Sequence, residues 1–422
     1  MGIVWKDALS AQPLCSAREG CDDQYMVNWT AICDDASRIV AGTYYHPYEG
    51  TTRNLVDGKF GLYCYDTAGA GTRLFADEYP GDEGIYAVAI SGDGTIAAGG
   101  GLLRTTFPVT GLLRAYDVAS HRKLLDKSDI PARVNCISLS ADGSVLAAVA
   151  EKIVYVFQRG ANGSYAAAAE VALGGYSETV ALHPSGQWLA AADQKGKVYL
   201  ICINKNGLQP ALTWTALEPQ NPLIPDSLAE PVKLRCVSVA RAGTAFVACG
   251  GDFIYLLTLA SMQAASPGPV ARFSTFDRNT GGHHNVRFVA VSDDASFVTA
   301  VVNDFDRTGL RPGETLLNNE KWSRGRGRLL KISTSGGALT KEWEQHLGHW
   351  PNTTSIDSSG TRITAADGYP DKIPGTFYLF DNTGATLWEA HTNKMCWPMF
   401  ISANGAGIAG GNDDNTLFFL KP

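Results

Sequence analysis

The sequence predicts an all-β protein, a ring of eight four-stranded antiparallel blades that together make one eight-bladed β-propeller. Three observations predict it. An apolar alternating stretch, a two-residue turn and a second apolar stretch rich in Ala and Gly recur eight times. The turns are Asp35-Ala36, Asp93-Gly94, Asp142-Gly143, Ser185-Gly186, Ala242-Gly243, Asp294-Ala295, Ser359-Gly360 and Asn404-Gly405, spaced 43 to 65 residues apart. A third apolar phrase follows each turn in register: LYCYD, LRAYD, IVYVF, VYLIC, IYLLTL, LLKIS, FYLFD and LFFL. Finally, the last repeat stops at LFFLKP, while IVWKDALS at the opposite end carries the Trp of a fourth-strand phrase. An all-strand repeat of this length is the mark of a propeller.

The elements follow in order. Alternation of apolar and polar residues marks half-buried strands. In the third repeat it places them at Val134–Ser140, Val145–Ala150, Ile153–Gln158 and Ala166–Leu173. Xaa-Gly pairs between first and second strands suit tight hairpins. Fourth strands carry an aromatic: Trp214, Trp343, Trp388, and Phe75 and Phe273 in similar places. The blade units then run 25–82, 83–132, 133–175, 176–231, 232–282, 283–349, 350–394 and 395–422, the last completed by residues 3–10. Ile3–Ser10 is expected to pair with the third strand of the last repeat and leave no sheet edge open.

The phrase FYLFDNTGATLWEA, a strand followed by a Thr-Gly turn and Trp, resembles repeats of eight-bladed propellers of the pyrroloquinoline-quinone type. The SADG-like turns resemble those of WD-repeat proteins, although the WD and GH dipeptides are missing from most units. The resemblance implies the fold and no particular activity. Quinone dehydrogenases hold their cofactor beneath a disulfide between adjacent cysteines. This chain has no Cys-Cys pair, so a quinone cofactor is not expected.

Composition narrows the partners. Of 422 residues, 45% are hydrophobic and 18% charged, and the net charge is −7 without a long basic run, which argues against nucleic acid. Apolar stretches are strand-sized, so no membrane span is expected. The opening MGIVWKDALS has no apolar signal core. That fits a cytoplasmic protein if the N-terminus is native, and a periplasmic or secreted one if a signal was removed. Cys33, Cys136, Cys236, Cys249, Cys64 and Cys202 stand singly in strands, as buried thiols do, whereas Cys15 and Cys21 share a polar loop that would allow a disulfide.

Loop lengths single out one face. Insertions collect between second and third strands (Tyr44–Lys59, Leu102–Thr110, Asp304–Arg326, Gly368–Pro374) and before first strands (Pro219–Pro231, Asp277–Asn285). Both classes emerge on the same face, where function concentrates. Aligning the repeats gives one polar or aromatic position near the start of each first strand: Asn28, Tyr86, Asn135, Glu178, Arg235, Arg287, Asn352 and Trp397. First strands line the channel, so these residues form a ring that would bind a ligand, with two Arg for an anionic group and aromatics for stacking.

His46, His283, His284, His349 and His391 map to the same face, with Asp304, Asp367 and Asp413 at second-strand ends. Imidazole and carboxylate meeting in a pocket serve acid–base chemistry or a metal. The catalytic candidates are His284, His349, His391 and Arg287. The metal candidates are His46, His284, His349, His391, Asp304 and Asp367, and one or two of the histidines could ligate a haem. Arg324, Arg326 and Arg328 in RGRGR suit a solvated lid or a phosphate contact.

Two functions follow. One is a binding platform whose loop-rich face and funnel hold a protein, peptide, glycan or small anionic ligand. The other is an enzyme (hydrolase, lyase or oxidoreductase) with a His/Arg/Asp site in the same funnel. No G-x-S-x-G motif is present.

Overall fold

The computed structural model describes residues 2–9, 24–46, 59–80, 83–103, 108–204, 207–219, 228–276, 284–304, 327–368 and 374–422. Cys15 and Cys21, Ser10, His283, Arg324 and Arg326 lie outside these residues, as do the side chain of His46 and most of the long insertions.

Eight four-stranded antiparallel blades account for nearly all of the described chain. In the third blade the strands are Val134–Leu139, Val145–Ala150, Ile153–Arg159 and Tyr165–Ala172, within a residue of expectation. The last blade combines Cys396–Ile401, Ile408–Asn412 and Thr416–Lys421 with Gly2–Ala8 from the other end of the chain. That fourth strand pairs antiparallel from Gly2 against Lys421 to Ala8 against Thr416, so the expected closure holds. Each first strand packs on the next, and the eighth returns to the first.

Packing explains why second strands read as runs of Ala and Gly. Among the described residues there are eight apolar clusters, and each fills one blade–blade junction. Val145–Ala150 serves two of them, with Leu146, Ala148 and Ala150 facing one way and Val145, Ala147 and Val149 the other. A strand buried on both faces loses its polar alternation, and small side chains let neighbouring sheets approach.

The hairpin turns repeat one chemistry. Ser140 Oγ accepts from Val145 N, while Asp142 Oδ1 accepts from Ser140 Oγ and Ser144 N. Ser91–Asp93, Ser292–Asp294 and Ser402–Asn404 do the same. The next residue sits in the left-handed region, which Gly adopts freely, yet Ala36 (φ 63°) and Ala295 (φ 57°) occupy it in two blades. Ala295→Gly should therefore raise stability, by about 0.5–1 kcal/mol, because relief of a left-handed Cβ outweighs the added chain entropy. Thermal melts would check this.

Several short elements were not anticipated, among them the strand Gly207–Leu208 and the 3-10 turn Ser335–Gly337. Leu217–Pro219 and Ala229–Pro231 pair as a small hairpin beside the fourth blade. Leu259–Gln263 is a single helical turn, started by a reciprocal pair in which Thr258 Oγ1 accepts from Ser261 N and Ser261 Oγ from Thr258 N. No helix among the described residues is long and apolar enough to cross a membrane.

At the short-turn face the turns are tied to one another. Asp34 N donates to Gly92 O, Asp93 N to Ala141 O, Ala141 N to Pro184 O, Ala242 N to Asp293 O, Ser358 N to Ala403 O and Asn404 N to Asp34 O, all at 2.8–3.1 Å. Arg241 of the fifth blade also reaches Asp34 of the first, the blade opposite in a ring of eight, with Nη1 to Oδ1 at 2.8 Å and a second bond from Nη2 to Oδ2. Asp293 lies 3.6 Å from its Nε. A two-bond guanidinium–carboxylate pair thus crosses the channel at this face.

Candidate functional site

The site is built by a backbone irregularity. The first-strand pairing register shifts across Asn28, Tyr86, Asn135, Arg235, Arg287 and Asn352, and across Trp397 and Pro398 in the last blade. Seven of the eight ring residues are thus extra residues of β-bulges, and bulges re-aim side chains. Glu178 immediately precedes its strand, Thr179–Leu182.

Tyr86, Asn135, Glu178, Arg235, Arg287, Asn352 and Trp397 line one channel cavity of about 440 Å³. Asn28 does not. Its Nδ2 donates to Tyr86 O of the next blade at 2.5 Å. Asn135 and Asn352 do the same to Ser177 O (3.0 Å) and Cys396 O (2.7 Å). The three Asn amides therefore satisfy carbonyls of the splayed neighbouring strand. Hydroxyls lower in the channel complete the pattern: Thr179 Oγ1 accepts from Val237 N, Ser138 Oγ from Leu182 N and Ser355 Oγ from Ile401 N. Much of the channel's polarity is consequently structural.

What remains facing the cavity is Tyr86, Glu178, Arg235, Arg287 and Trp397. Arg235 Nη1 lies 3.4 Å from Glu178 Oε2. The Arg287 guanidinium sits over the Trp397 ring at 5.2 Å and has no hydrogen bond or ion pair among the described residues. Burial, and then the adjacent Arg235 cation, lower its pKa from the usual value. Burial likewise raises the Tyr86 phenol.

Sequence reasoning missed two features. Arg133 stacks on Tyr86 at 3.8 Å and bonds Asn135 Oδ1 through Nε at 3.0 Å. It stands two positions before the ring residue Asn135. Trp29, Phe288 and Phe400 form an aromatic triangle with centroids 5.2–6.1 Å apart inside the cavity. Trp29 and Phe288 each follow a ring residue directly, an alignment signal that would have found them. The lining continues to Ile32, Ile90 and Leu139, the last residues of the first strands of blades one and two and of blade three. The Arg241–Asp34 pair crosses beyond them.

His284 and His391 contact residues of their own blades, and His349 is held through its backbone. His284 Nδ1 lies 3.0 Å from Asp304 Oδ1, in poor hydrogen-bond alignment. Burial raises the Asp304 carboxyl, but His284 and Arg328 outweigh it and hold the carboxyl below its usual range. Arg328, the described arginine of RGRGR, pairs with Asp304 at 2.8 Å and Glu344 at 3.4 Å. His349 donates its backbone N–H to Asp367, whose two oxygens also accept from Thr376 N and Tyr378 Oη. His391 is exposed on the outermost strand of blade seven, with Nδ1 3.1 Å from Thr376 Oγ1. Among the described residues no three His, Cys, Asp or Glu side chains are grouped to hold a metal ion. The seven described cysteines are free thiols, five of them buried.

A closed all-β ring of four-stranded blades with a lined central funnel defines a β-propeller. Among solved structures the chain is similar to Sqt1 from Chaetomium thermophilum bound to the N-terminus of the ribosomal protein L10. The TM-score is 0.65 at 14% identity, over 100% of this chain and 99% of that one. Two further structures of Chaetomium thermophilum Sqt1 give TM-scores of 0.64 and 0.63 at 15% identity, covering 96% and 95% of this chain and 97% and 96% of theirs. The likeness is one of fold. No family model and no curated protein matches the sequence.

Proposed function

We propose that the protein is a binding platform that holds a protein or peptide segment at the mouth of its central funnel. The observation that carries this is the channel itself. Its cavity runs along the first strands from the ring residues at the loop-rich mouth, while turn-to-turn hydrogen bonds tie six of the eight blade junctions at the other end and the Arg241–Asp34 pair crosses it. A funnel of this kind admits a chain end or a projecting side chain, and its volume suits a ligand held from several sides at once. Trp397, Tyr86 and the Arg pair supply residue types that dominate binding surfaces. A propeller of similar fold bound to the N-terminus of a ribosomal protein supports the reading.

The test is selection from a random peptide library, using the full chain and its Trp397→Ser variant. The native protein should enrich peptides that the variant holds about tenfold less well, as expected for loss of a central aromatic anchor. Enrichment of no peptide, or equal binding by the variant, overturns the proposal.

A further inference from the structure

We propose that the funnel is a receptor for a single carboxylate carried next to an apolar side chain, with Arg287 as the group that reads it. This rests on the platform reading above and adds the chemistry of the occupant.

The argument starts from charge. Two guanidiniums, Arg235 and Arg287, face the cavity with one carboxylate, Glu178, so one positive charge is in surplus. Glu178 lies against Arg235. Arg133 is committed to Tyr86, Tyr44 and Asn135. The surplus therefore resides on Arg287, which contacts a ring face and makes no ion pair among the described residues, the pull of Glu178 on it being smaller than the push of Arg235. A guanidinium withdrawn from water without a counter-charge is costly. Its lowered pKa reflects that cost. An incoming carboxylate would recover it through two parallel N–H···O bonds, the geometry guanidinium favours.

The fork of Arg287 matches a planar carboxylate, and Glu178 beside Arg235 disfavours further negative charge on the ligand. The rest of the ligand is set by the walls. Trp397 and Tyr86 flank Arg287's level, and the Trp29–Phe288–Phe400 triangle offers an apolar surface in the same cavity. Because the Arg241–Asp34 pair crosses the far end, the occupant enters and stops, and does not thread through. A carboxylate beside an apolar side chain has two sources in a peptide: the chain's C-terminus, or an acidic residue next to an apolar one.

Two matched probe pairs separate these sources by calorimetry on the full chain. The first is N-acetylphenylalanine against its amide. The second is N-acetyl-Glu-Phe-amide against N-acetyl-Gln-Phe-amide. At least one carboxylate should bind about tenfold more tightly than its neutral partner. The pair that shows this identifies the source. Arg287→Gln should erase the difference without weakening the neutral probe, and Arg287→Lys should restore part of it.

Equal binding within both pairs, a preference that survives Arg287→Gln, or failure of both carboxylates to bind overturns the proposal. Circular dichroism establishes that the variants fold, and the wild-type comparison decides alone if they do not. If library peptides bind but no carboxylate preference appears, the inference fails and the platform reading stands. If the library yields nothing, the platform reading fails whatever the probes do.

Discussion

Trp5→Ala should cost about 3–5 kcal/mol of stability, the range for removing a buried Trp side chain, and deleting Gly2–Leu9 should abolish the native ring. Trp5 is only 9% exposed. Its indole packs against Tyr65 of the first blade at 5.3 Å and Phe419 of the last at 5.7 Å, so it bridges the junction where the ring closes. Gly71 lies beneath it, where any Cβ would strike the indole. Tyr65 Oη donates to Asp7 on the same strand at 2.5 Å, and Leu9 N donates to Asn415 O. Deletion would remove the whole set and expose the N–H and C=O groups of Thr416–Lys421 as an apolar sheet edge, a template for aggregation. Urea denaturation of the point variant and light scattering of the deletion check both parts. An unchanged melting temperature in either protein contradicts the closure.

The second large effect is pH-dependent. Burial pushes the Asp413 carboxyl up to about 8. The neighbouring Trp397 indole favours the charged form, but Trp397 Nε1 and Asp413 Oδ1 do not complete a hydrogen bond. A folded-state pKa above the unfolded one means that the native protein binds the extra proton between them. The contribution of Asp413 to stability is then full below about pH 4, declines as pH rises, and is lost above about pH 8. One unit is worth about 1.4 kcal/mol, so even half of the displacement amounts to about 3 kcal/mol. Asp413→Asn should remove this slope. The variant should match wild type near pH 4 and exceed it by a margin of that order above pH 8. Melting temperatures across that interval decide it, and parallel curves would contradict the assignment.

The fold was legible because each level of the sequence repeats. Ser140–Asp142–Gly143 specifies a turn through local hydrogen bonds, and so do its counterparts, so the hairpins could be counted without knowing their partners. The split last blade was legible because Trp5 copies the place of Trp214, Trp343 and Trp388. The ring positions could be located, but not what their side chains do. Asn135 and Asn352 read as ligand donors in a one-dimensional alignment. Only the neighbouring blade reveals the carbonyls of Ser177 and Cys396 that occupy them. Asp367 shows the same limit. It reads as a supporting carboxylate for His349, yet it binds that residue's backbone and not its ring. The Trp29–Phe288–Phe400 triangle joins blades one, six and eight, residues whose proximity exists only once the ring is closed.

Closure by the strand Gly2–Ala8 also governs how the protein comes into being. The segment that must meet Thr416–Lys421 leaves the ribosome before any other strand of the ring, and its partner leaves after all of them. Throughout synthesis the growing arc therefore carries two unfinished ends, one the strand Gly2–Ala8 without the blade it completes and the other the newest blade without a neighbour. Contacts between the most distant residues of a chain form slowly, and unpaired strand edges are where nascent chains misassemble. The interval between emergence of blade seven and arrival of Leu417 and Phe419 is thus the period of greatest exposure. Each blade before it can gain its junction with the one already made, so assembly would proceed around the circle in order of synthesis and lock in a single final step.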